Sequence, residues 1–398
     1  MTRLIDDAAR ARPEAAAISY LGNRITYRAL RSAVDSFAGS LAGLGVGPMT
    51  RVAVVLPDCP QHVVAFFAVL RLGAVVANCD PLEEIDELAV HLTNTGANVV
   101  VCLDRTAGAV LSVQESTLVR SVIATSLADG LSSFGRARIE LPTPSARARR
   151  RRLVAQEPVD PAVLDYRALI RAGVPARQAP VEPVADVAVL QLTRGRELEP
   201  KTVMLSHANL VAAAHQVRHW MSDGEQGEGG DLAALPLCRV EGLTRYLLPT
   251  MLLGGSVDLV PQSAPDEAAD ADVGTGGGSA DLYGMTETSA VAFGRPSDGP
   301  GGPGSVGRPL PGTAARIVDP EDPRKPMPVG EIGELAVSGP QVFLGYWQRE
   351  ADVAPPTIDG WWLTGELAVM DATGGFSIVD RDTYAVAPPG DLMRGSAP

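Results

Sequence analysis

Lysine is almost absent from this 398-residue chain: Lys201 and Lys325 are the only two, and arginine supplies the rest of the positive charge. The net charge of −13 argues against a nucleic-acid surface, which needs clustered positive charge to displace counterions. Cysteine is scarce too. Cys59, Cys79, Cys102 and Cys238 are widely scattered, with neither paired metal-ligand spacing nor a dense disulfide pattern, and a reducing, cytoplasmic setting fits them best. No uninterrupted apolar run is long enough to span a bilayer. Met1 to Pro13 carries Asp6 and Asp7 and no long apolar core, so it does not read as a secretory signal. The one basic cluster, Arg147 to Arg152, lies between proline-containing stretches and reads as a solvated loop rather than an anion patch.

What is present has the balance of a globular protein, long enough for two or three compact units. From Tyr27 to Leu44 the apolar residues Leu30, Val34, Phe37 and Leu41 recur at helical spacing. Short buried strands are expected at Val52–Leu56, Gly73–Ala77, Val99–Leu103 and Leu118–Ala124, with helices at His62–Leu72 and Glu83–Thr95. That alternation implies an α/β fold, a parallel sheet covered by helices on both faces. Residues 127–183 read as a connector with one short helix near Ala162–Ala172. A strand follows at Val187–Leu192, a helix starts at Ser206 as N-cap, a second spans Leu243–Leu253 with a kink at Pro249, and a strand covers Val257–Val260. Ser263–Ser279 is mostly Ala, Asp and Gly and reads as a flexible linker. Short strands at Ala315–Val318, Gly333–Ser338, Trp361–Leu363 and Phe376–Val379 read as a small β-rich unit. The expected units are 1–180, 181–292 (shortened by an internal deletion around 263–279) and 293–381, followed by an irregular tail at 382–398.

The most informative stretch is Asp281 to Thr288, Asp-Leu-Tyr-Gly-Met-Thr-Glu-Thr. An aromatic ring at Tyr283, a glycine at Gly284, a hydroxyl at Thr286 and a carboxylate at Glu287 together suit a nucleotide with a metal-bound phosphate. The ring can cover a base, the hydroxyl can reach a phosphate oxygen, and the carboxylate can hold Mg²⁺, which prefers oxygen ligands. Gly284 is expected to turn the chain through positive φ. A plain strand-to-loop turn with a surface Thr-Glu pair explains the same residues.

Four segments in order set this stretch in context: Arg194 to Leu210 with Glu-Pro-Lys-Thr-Val-Met-Leu-Ser-His, Asp281 to Thr288, Gly330 to Trp347 with Gly-Glu-Ile-Gly-Glu-Leu and Leu-Gly-Tyr-Trp, and Trp361 to Arg381 with Trp-Trp-Leu-Thr-Gly-Glu-Leu and Ile-Val-Asp-Arg. Ile25 to Leu30 and Gly304 to Gly312 fit the same set. Together they resemble the adenylate-forming (AMP-binding) enzymes, in tone closest to fatty-acyl-CoA ligases. The resemblance implies an acyl-CoA synthetase N-terminal-domain-like fold of layered sheets covered by helices, plus a small β-rich subdomain. It also implies two half-reactions. A carboxylate attacks ATP to give an acyl-adenylate and pyrophosphate, and the thiol of coenzyme A or of a carrier protein's pantetheine then takes the acyl group. By that resemblance Thr193, Gly195 and Lys201 belong to the triphosphate loop, and Tyr283 stacks on adenine with Gly284 beside it in the nucleotide site. Thr286 touches the α-phosphate, Glu287 binds Mg²⁺, and Glu366 and Arg381 hold the ribose.

The same comparison shows departures. The phosphate loop is expected to be rich in small residues that close backbone N–H groups on phosphate, yet its middle carries Glu197 and Glu199. Cys238 and Arg239 stand where an aromatic residue and a histidine are usual, and Cys238 reads as a small hydrophobe without reactivity. Glu366 replaces an aspartate. The Ser263–Ser279 interval is too short for the strands and helices of the acyl pocket. After Arg381 no lid domain with its lysine follows, so a lid supplied in trans is one expectation. Two functions are therefore carried forward: ATP-dependent ligation of a fatty or aryl acid to a thiol, and a ligase-shaped pseudoenzyme that binds a partner. A poorly folding, decaying gene product is a third.

Overall fold

The computed structural model describes residues 1–193, 201–222, 235–261, 281–295, 304–347 and 357–379. Its centre is an eight-stranded sheet. Val187–Thr193, Val75–Asn78, Arg51–Val55, Val99–Leu103, Ser121–Thr125 and Leu164–Asp165 run parallel in that spatial order, while Lys201–Ser206 and Gly345–Tyr346 extend one edge antiparallel. Both faces are dry. Val52, Val54, Val99 and Val101 enter one apolar cluster, and Ala53, Val55, Val100 and Cys102 enter the other, as the period-two alternation of a strand requires. The helix Pro60–Arg71 is buried along its whole length. Tyr27–Gly43 packs Leu30, Val34, Phe37 and Leu41 inward, and Ile85–Thr95 covers the opposite face through Leu88 and Leu92.

A three-stranded sheet joins Val257–Leu259 in parallel to Ala16–Tyr20, which pairs antiparallel with Asn23–Thr26. These N-terminal strands and the helix Arg3–Ala11 were not anticipated. The C-terminal residues form an antiparallel sheet of eight strands, whose longest member, Trp361–Met370, extends seven residues beyond the expected Leu363. Its core of Phe293, Ile317, Leu335, Val337 and Phe376 is a cluster of its own.

Three expectations change. Residues 127–183 are not a bare connector. They hold Leu127–Gly130, Ser133–Ile139, Pro144–Leu153 and Tyr166–Ala172 as helical segments. Arg147 to Arg152 stand on the third of these rather than in a loop. Its start is set by Thr143, whose side chain accepts from Ala146 N, with Pro144 in the first turn, where a missing N–H costs nothing. The break expected at Pro249 lies just upstream: Gly242–Leu247 is a π-helical turn, and Leu248–Leu252 continues as α-helix with Pro249 in its first turn. The linker Ser263–Ser279 and the tail 382–398 lie outside the described residues. No helix among the described residues is long and apolar enough to cross a membrane.

Candidate active site

A cleft of about 250 Å³ opens where Val75–Asn78 and Val187–Thr193 reach their C-terminal ends, the side of a parallel sheet on which ligands bind. Asn78, Asp80, Glu83 and His91 form one wall, Gln191 to Thr193 the floor, and Cys238 to Glu241 with Thr286 the other wall. A buried polar network ties these walls together. Asn78 Nδ2 donates to Gln191 Oε1 at 3.1 Å and to the Leu237 carbonyl at 2.9 Å, and Gln191 Nε2 donates to the Cys238 carbonyl at 3.2 Å. Leu237 N donates to Asp58 Oδ1 at 2.8 Å. Burial nevertheless pushes the Asp58 carboxyl up to about 6, that hydrogen bond offsetting only part of the desolvation.

His91 is buried, with Nδ1 3.4 Å from Glu83 Oε2 and Nε2 4.0 Å from Cys79 Sγ. Burial alone would lower its pKa. The Cys79 sulfur and the Glu83 carboxylate outweigh burial and raise it to about 10, so His91 brings a positive charge to a wall that also carries Asp80 and Glu83. Cys238 lines the cleft, but burial raises its thiol well above the usual range, in keeping with an unreactive sulfur.

Thr193 and Lys201 are direct cross-strand partners, the last pair of their hairpin before the segment 194–200 that joins the two strands. Gly195 lies between them, outside the described residues, as do Glu197 and Glu199. Asp281–Tyr283 is a strand paired with Phe293–Arg295, and the Tyr283 ring packs 6.2 Å from that of Phe293. A 3₁₀ turn, Thr286–Thr288, follows. Gly284 does not take positive φ, so the expected reason for it is wrong. A Cβ there would stand 2.3 Å from Ala290 C and 2.4 Å from Val291 N. The residue is glycine because the chain folds back onto it.

Ser289 and Ala290 carry the strain of this loop, with φ of 52° and 62°, a left-handed geometry that costs non-glycine residues roughly 1–2 kcal/mol each. Their neighbours over-determine it. Thr244 Oγ1 donates to the Ser289 carbonyl, Arg245 Nε to the Ala290 carbonyl, and Ser289 Oγ to the Gln341 carbonyl, each at 2.8 Å. The π-helical turn that supplies Thr244 and Arg245 thus fixes where Thr286 and Glu287 stand, a use of such turns common at functional sites.

Glu287 meets Lys201 through a third residue. Tyr346 donates its hydroxyl to Glu287 Oε1 at 3.0 Å, and Lys201 Nζ lies 5.2 Å from the Tyr346 ring centroid, within cation–π range. Tyr346 is held by the pairing of Gly345–Tyr346 with Lys201–Ser206 and by ring packing on Phe343, which in turn packs on Trp362 of the C-terminal sheet. Tyr346 belongs to the Leu-Gly-Tyr-Trp motif, which by itself assigns it no role. Its place in that motif was the available signal. Glu366 stands on the same C-terminal sheet, beside Gly365 at φ 74°, and Arg381 lies outside the described residues.

The donor set at Glu287 fits Mg²⁺. A carboxylate with one oxygen oriented by Tyr346 suits a cation that takes one or two protein carboxylates and completes its shell with water and substrate phosphates. Among the described residues no group of three or more acidic, His or Cys side chains could cage a metal alone.

The polar cleft at the sheet ends, the Thr286–Glu287 turn and the Thr193–Lys201 hairpin make up the candidate site of an α/β protein. The family profile described as "AMP-binding enzyme" matches residues 5–274 and 267–347, and the chain belongs to that family. The long-chain-fatty-acid–CoA ligase of Salmonella typhimurium is 30% identical over 436 residues, covering 96% of this chain and 76% of that protein. The Bacillus subtilis ligase of the same name is 28% identical over 439 residues, covering 95% and 76%. Both aligned lengths exceed the 398 residues of this chain, so these relatives carry internal residues without a counterpart here. Feruloyl-CoA synthase of Amycolatopsis is 28% identical, covering 94% and 77%. Among solved structures, ATP-bound MatB from Rhodopseudomonas palustris superposes with a TM-score of 0.74 at 23% identity, covering 96% of this chain and 79% of that one. The anthranilate CoA ligase AuaEII with anthranoyl-AMP gives 0.74 at 18%, covering 95% and 78%. The layered α/β fold expected from the sequence is the fold these neighbours share.

Proposed function

We propose that this protein uses ATP to activate a fatty or aryl carboxylic acid as an acyl-adenylate, releasing pyrophosphate, and passes the acyl group to the thiol of coenzyme A or a carrier-protein pantetheine. The observation that carries this reading is the convergence of Thr193, Lys201, Thr286 and Glu287 from distant parts of the chain, the two threonines on one cleft and the two charges on either side of Tyr346. Thr193 and Thr286 hold phosphate oxygens, and Lys201 offsets the charge that grows on them. Glu287 holds Mg²⁺, which when bound neutralises the phosphates. Tyr283 and Gly284 form the adenine side, and Glu366 holds the ribose together with Arg381. Family membership and the names of the relatives support ATP and coenzyme A as substrates.

The units 1–180, 181–292 and 293–381 stay part of the proposal. The separate apolar core of the last one supports it, and the break in the family match near residues 267–274 supports a shortened middle unit. A cytoplasmic setting is likewise proposed. Calorimetry with Mg-ATP on the wild type, Lys201→Ala and Glu287→Gln tests the site, and pyrophosphate release across a carboxylic-acid panel, with and without an added lid domain, tests the chemistry. Binding lost in both variants is expected. No binding by the wild type would leave a ligase-shaped binding protein in place of an enzyme.

A further inference from the structure

A second cavity, of about 340 Å³, shares no lining residue with the cleft. It lies between the helices Tyr27–Gly43, Pro60–Arg71 and Tyr166–Ala172 and the small N-terminal sheet, and Ile18, Ile25, Leu30, Val64 and Ile170 make it apolar. Arg136, Arg167 and Arg171 also line it. Arg171 is exposed and has no ion pair or hydrogen bond among the described residues. Arg136 donates to the Leu131 carbonyl at 3.2 Å, and Arg167 stands 3.6 Å from Asp129 Oδ1. Asp129 is the one carboxylate on the lining; its Oδ2 accepts from Ser126 N at 3.0 Å and Thr125 Oγ1 at 2.9 Å, and its Oδ1 offsets Arg167 alone, which leaves the lining with more positive than negative charge.

This arrangement runs against the rest of the molecule. The chain carries −13 overall, yet residues 133–177 hold ten arginines and four acidic residues. An apolar chamber with a cationic mouth on an acidic protein matches one ligand chemistry, an apolar chain ending in an anion. The volume sits at the low end for small-molecule pockets, which points to a medium chain. Guanidinium groups are the side chains best suited to a carboxylate at such a mouth.

We propose that this cavity is a binding site, separate from the cleft, for one monomeric fatty-acid-like anion, its chain among Ile18, Leu30, Val64 and Ile170 and its carboxylate among Arg136, Arg167 and Arg171. The site does not depend on the ligase reading. Its test uses the full chain and a diazirine-bearing decanoate held at monomeric concentration, with cross-linked peptides mapped by mass spectrometry. The wild type is expected to be labelled within residues 18–33, 60–64 or 166–171, and excess decanoate should compete the label away. Ala33→Trp, which fills the chamber, and the double variant Arg167→Gln/Arg171→Gln should each lower that labelling by roughly tenfold. Both variants should keep the wild-type melting temperature and Mg-ATP binding, and the double variant keeps the test decisive where Ala33→Trp fails to fold. Label confined to 191–193, 238–241 or 281–288 would overturn the proposal. So would cavity labelling unchanged in the double variant, or labelling that arises only when the probe is presented in phosphatidylglycerol vesicles.

Discussion

Gly284→Ala tests the account of the Thr-Glu loop most directly. The added methyl would lie 2.3 Å from Ala290 C, 2.4 Å from Val291 N and 2.5 Å from Ala290 O. All three are backbone atoms, so no rotamer change relieves the overlap. The loop cannot retreat cheaply either, since Thr244, Arg245 and the Gln341 carbonyl hold Ser289 and Ala290 in place. Overpacking of this kind costs about 1–3 kcal/mol, which in a chain of this size corresponds to a fall in melting temperature of roughly 1–4 °C. The displaced turn carries Thr286 and Glu287 with it, so Mg-ATP affinity should fall by more than the stability loss alone accounts for. Gly284→Asn separates the steric account from a turn account. Asparagine tolerates left-handed backbone better than alanine, so a glycine needed for positive φ would accept Asn more readily than Ala. Crowding predicts the opposite order, because Asn is larger. Thermal melts of the three proteins with Mg-ATP titrations decide it. A Gly284→Asn protein more stable than Gly284→Ala, or a Gly284→Ala protein that melts with the wild type, would show the crowding argument to be wrong.

Tyr346→Phe removes the donor to Glu287 Oε1 but keeps the ring beneath Lys201. A hydrogen bond to a charged group is worth about 1.5–3 kcal/mol, so apparent Mg²⁺ affinity in Mg-ATP binding should drop roughly ten- to a hundredfold, and Tyr346→Leu should lose more. An unchanged magnesium titration in Tyr346→Phe would remove Tyr346 from the site. Asp58 ionises near 6 in the folded protein against about 3.9 in an unfolded chain. The folded state therefore binds the extra proton between those values, and stability falls as pH rises from about 4 to 6, by about 3 kcal/mol in total. Asp58→Asn should flatten that slope in urea melts, and a slope equal to wild type would exclude Asp58 as its source. Arg71 is buried and reaches Asp6 Oδ1 at 2.9 Å and Asp35 Oδ1 at 3.0 Å. Arg71→Ala leaves the two carboxylates with only the more exposed Arg31, 3.2 Å from Asp6 Oδ1 and 3.8 Å from Asp35 Oδ2, and should cost up to about 3–5 kcal/mol. A loss below about 1 kcal/mol by urea denaturation would mean that Arg31 balances both carboxylates without Arg71.

The four ordered motifs, the parallel strands and the family were legible in the sequence because each is local. A buried strand shows as an apolar run, a helix as a spacing of three or four, and the Tyr-Gly-Met-Thr-Glu stretch as adjacent letters. Most strand ends were placed to within a few residues for the same reason, the exception being Trp361–Met370, which runs seven residues past its expected end. The arginine helix Pro144–Leu153 was misread because it buries only Ala146 and Leu153, so the apolar period that marks a helix was missing. The N-terminal strands were missed because Val257–Leu259, the partner that completes their sheet, lies more than two hundred residues away.

What the chain determined alone was the inventory: which segments form strands, which residues could meet a nucleotide, and which family they belong to. What only the tertiary structure decided was who stands beside whom. Gly284 is glycine because Ala290 folds back against it. Glu287 is oriented by Tyr346, 59 residues away. His91 holds its proton because Cys79 and Glu83 are buried with it. Each depends on a contact made by folding, whether the partners are six residues apart or 59, and a linear pattern carries no distances. Packing sets those distances, and with them the charge, strain and reach of every group at the site.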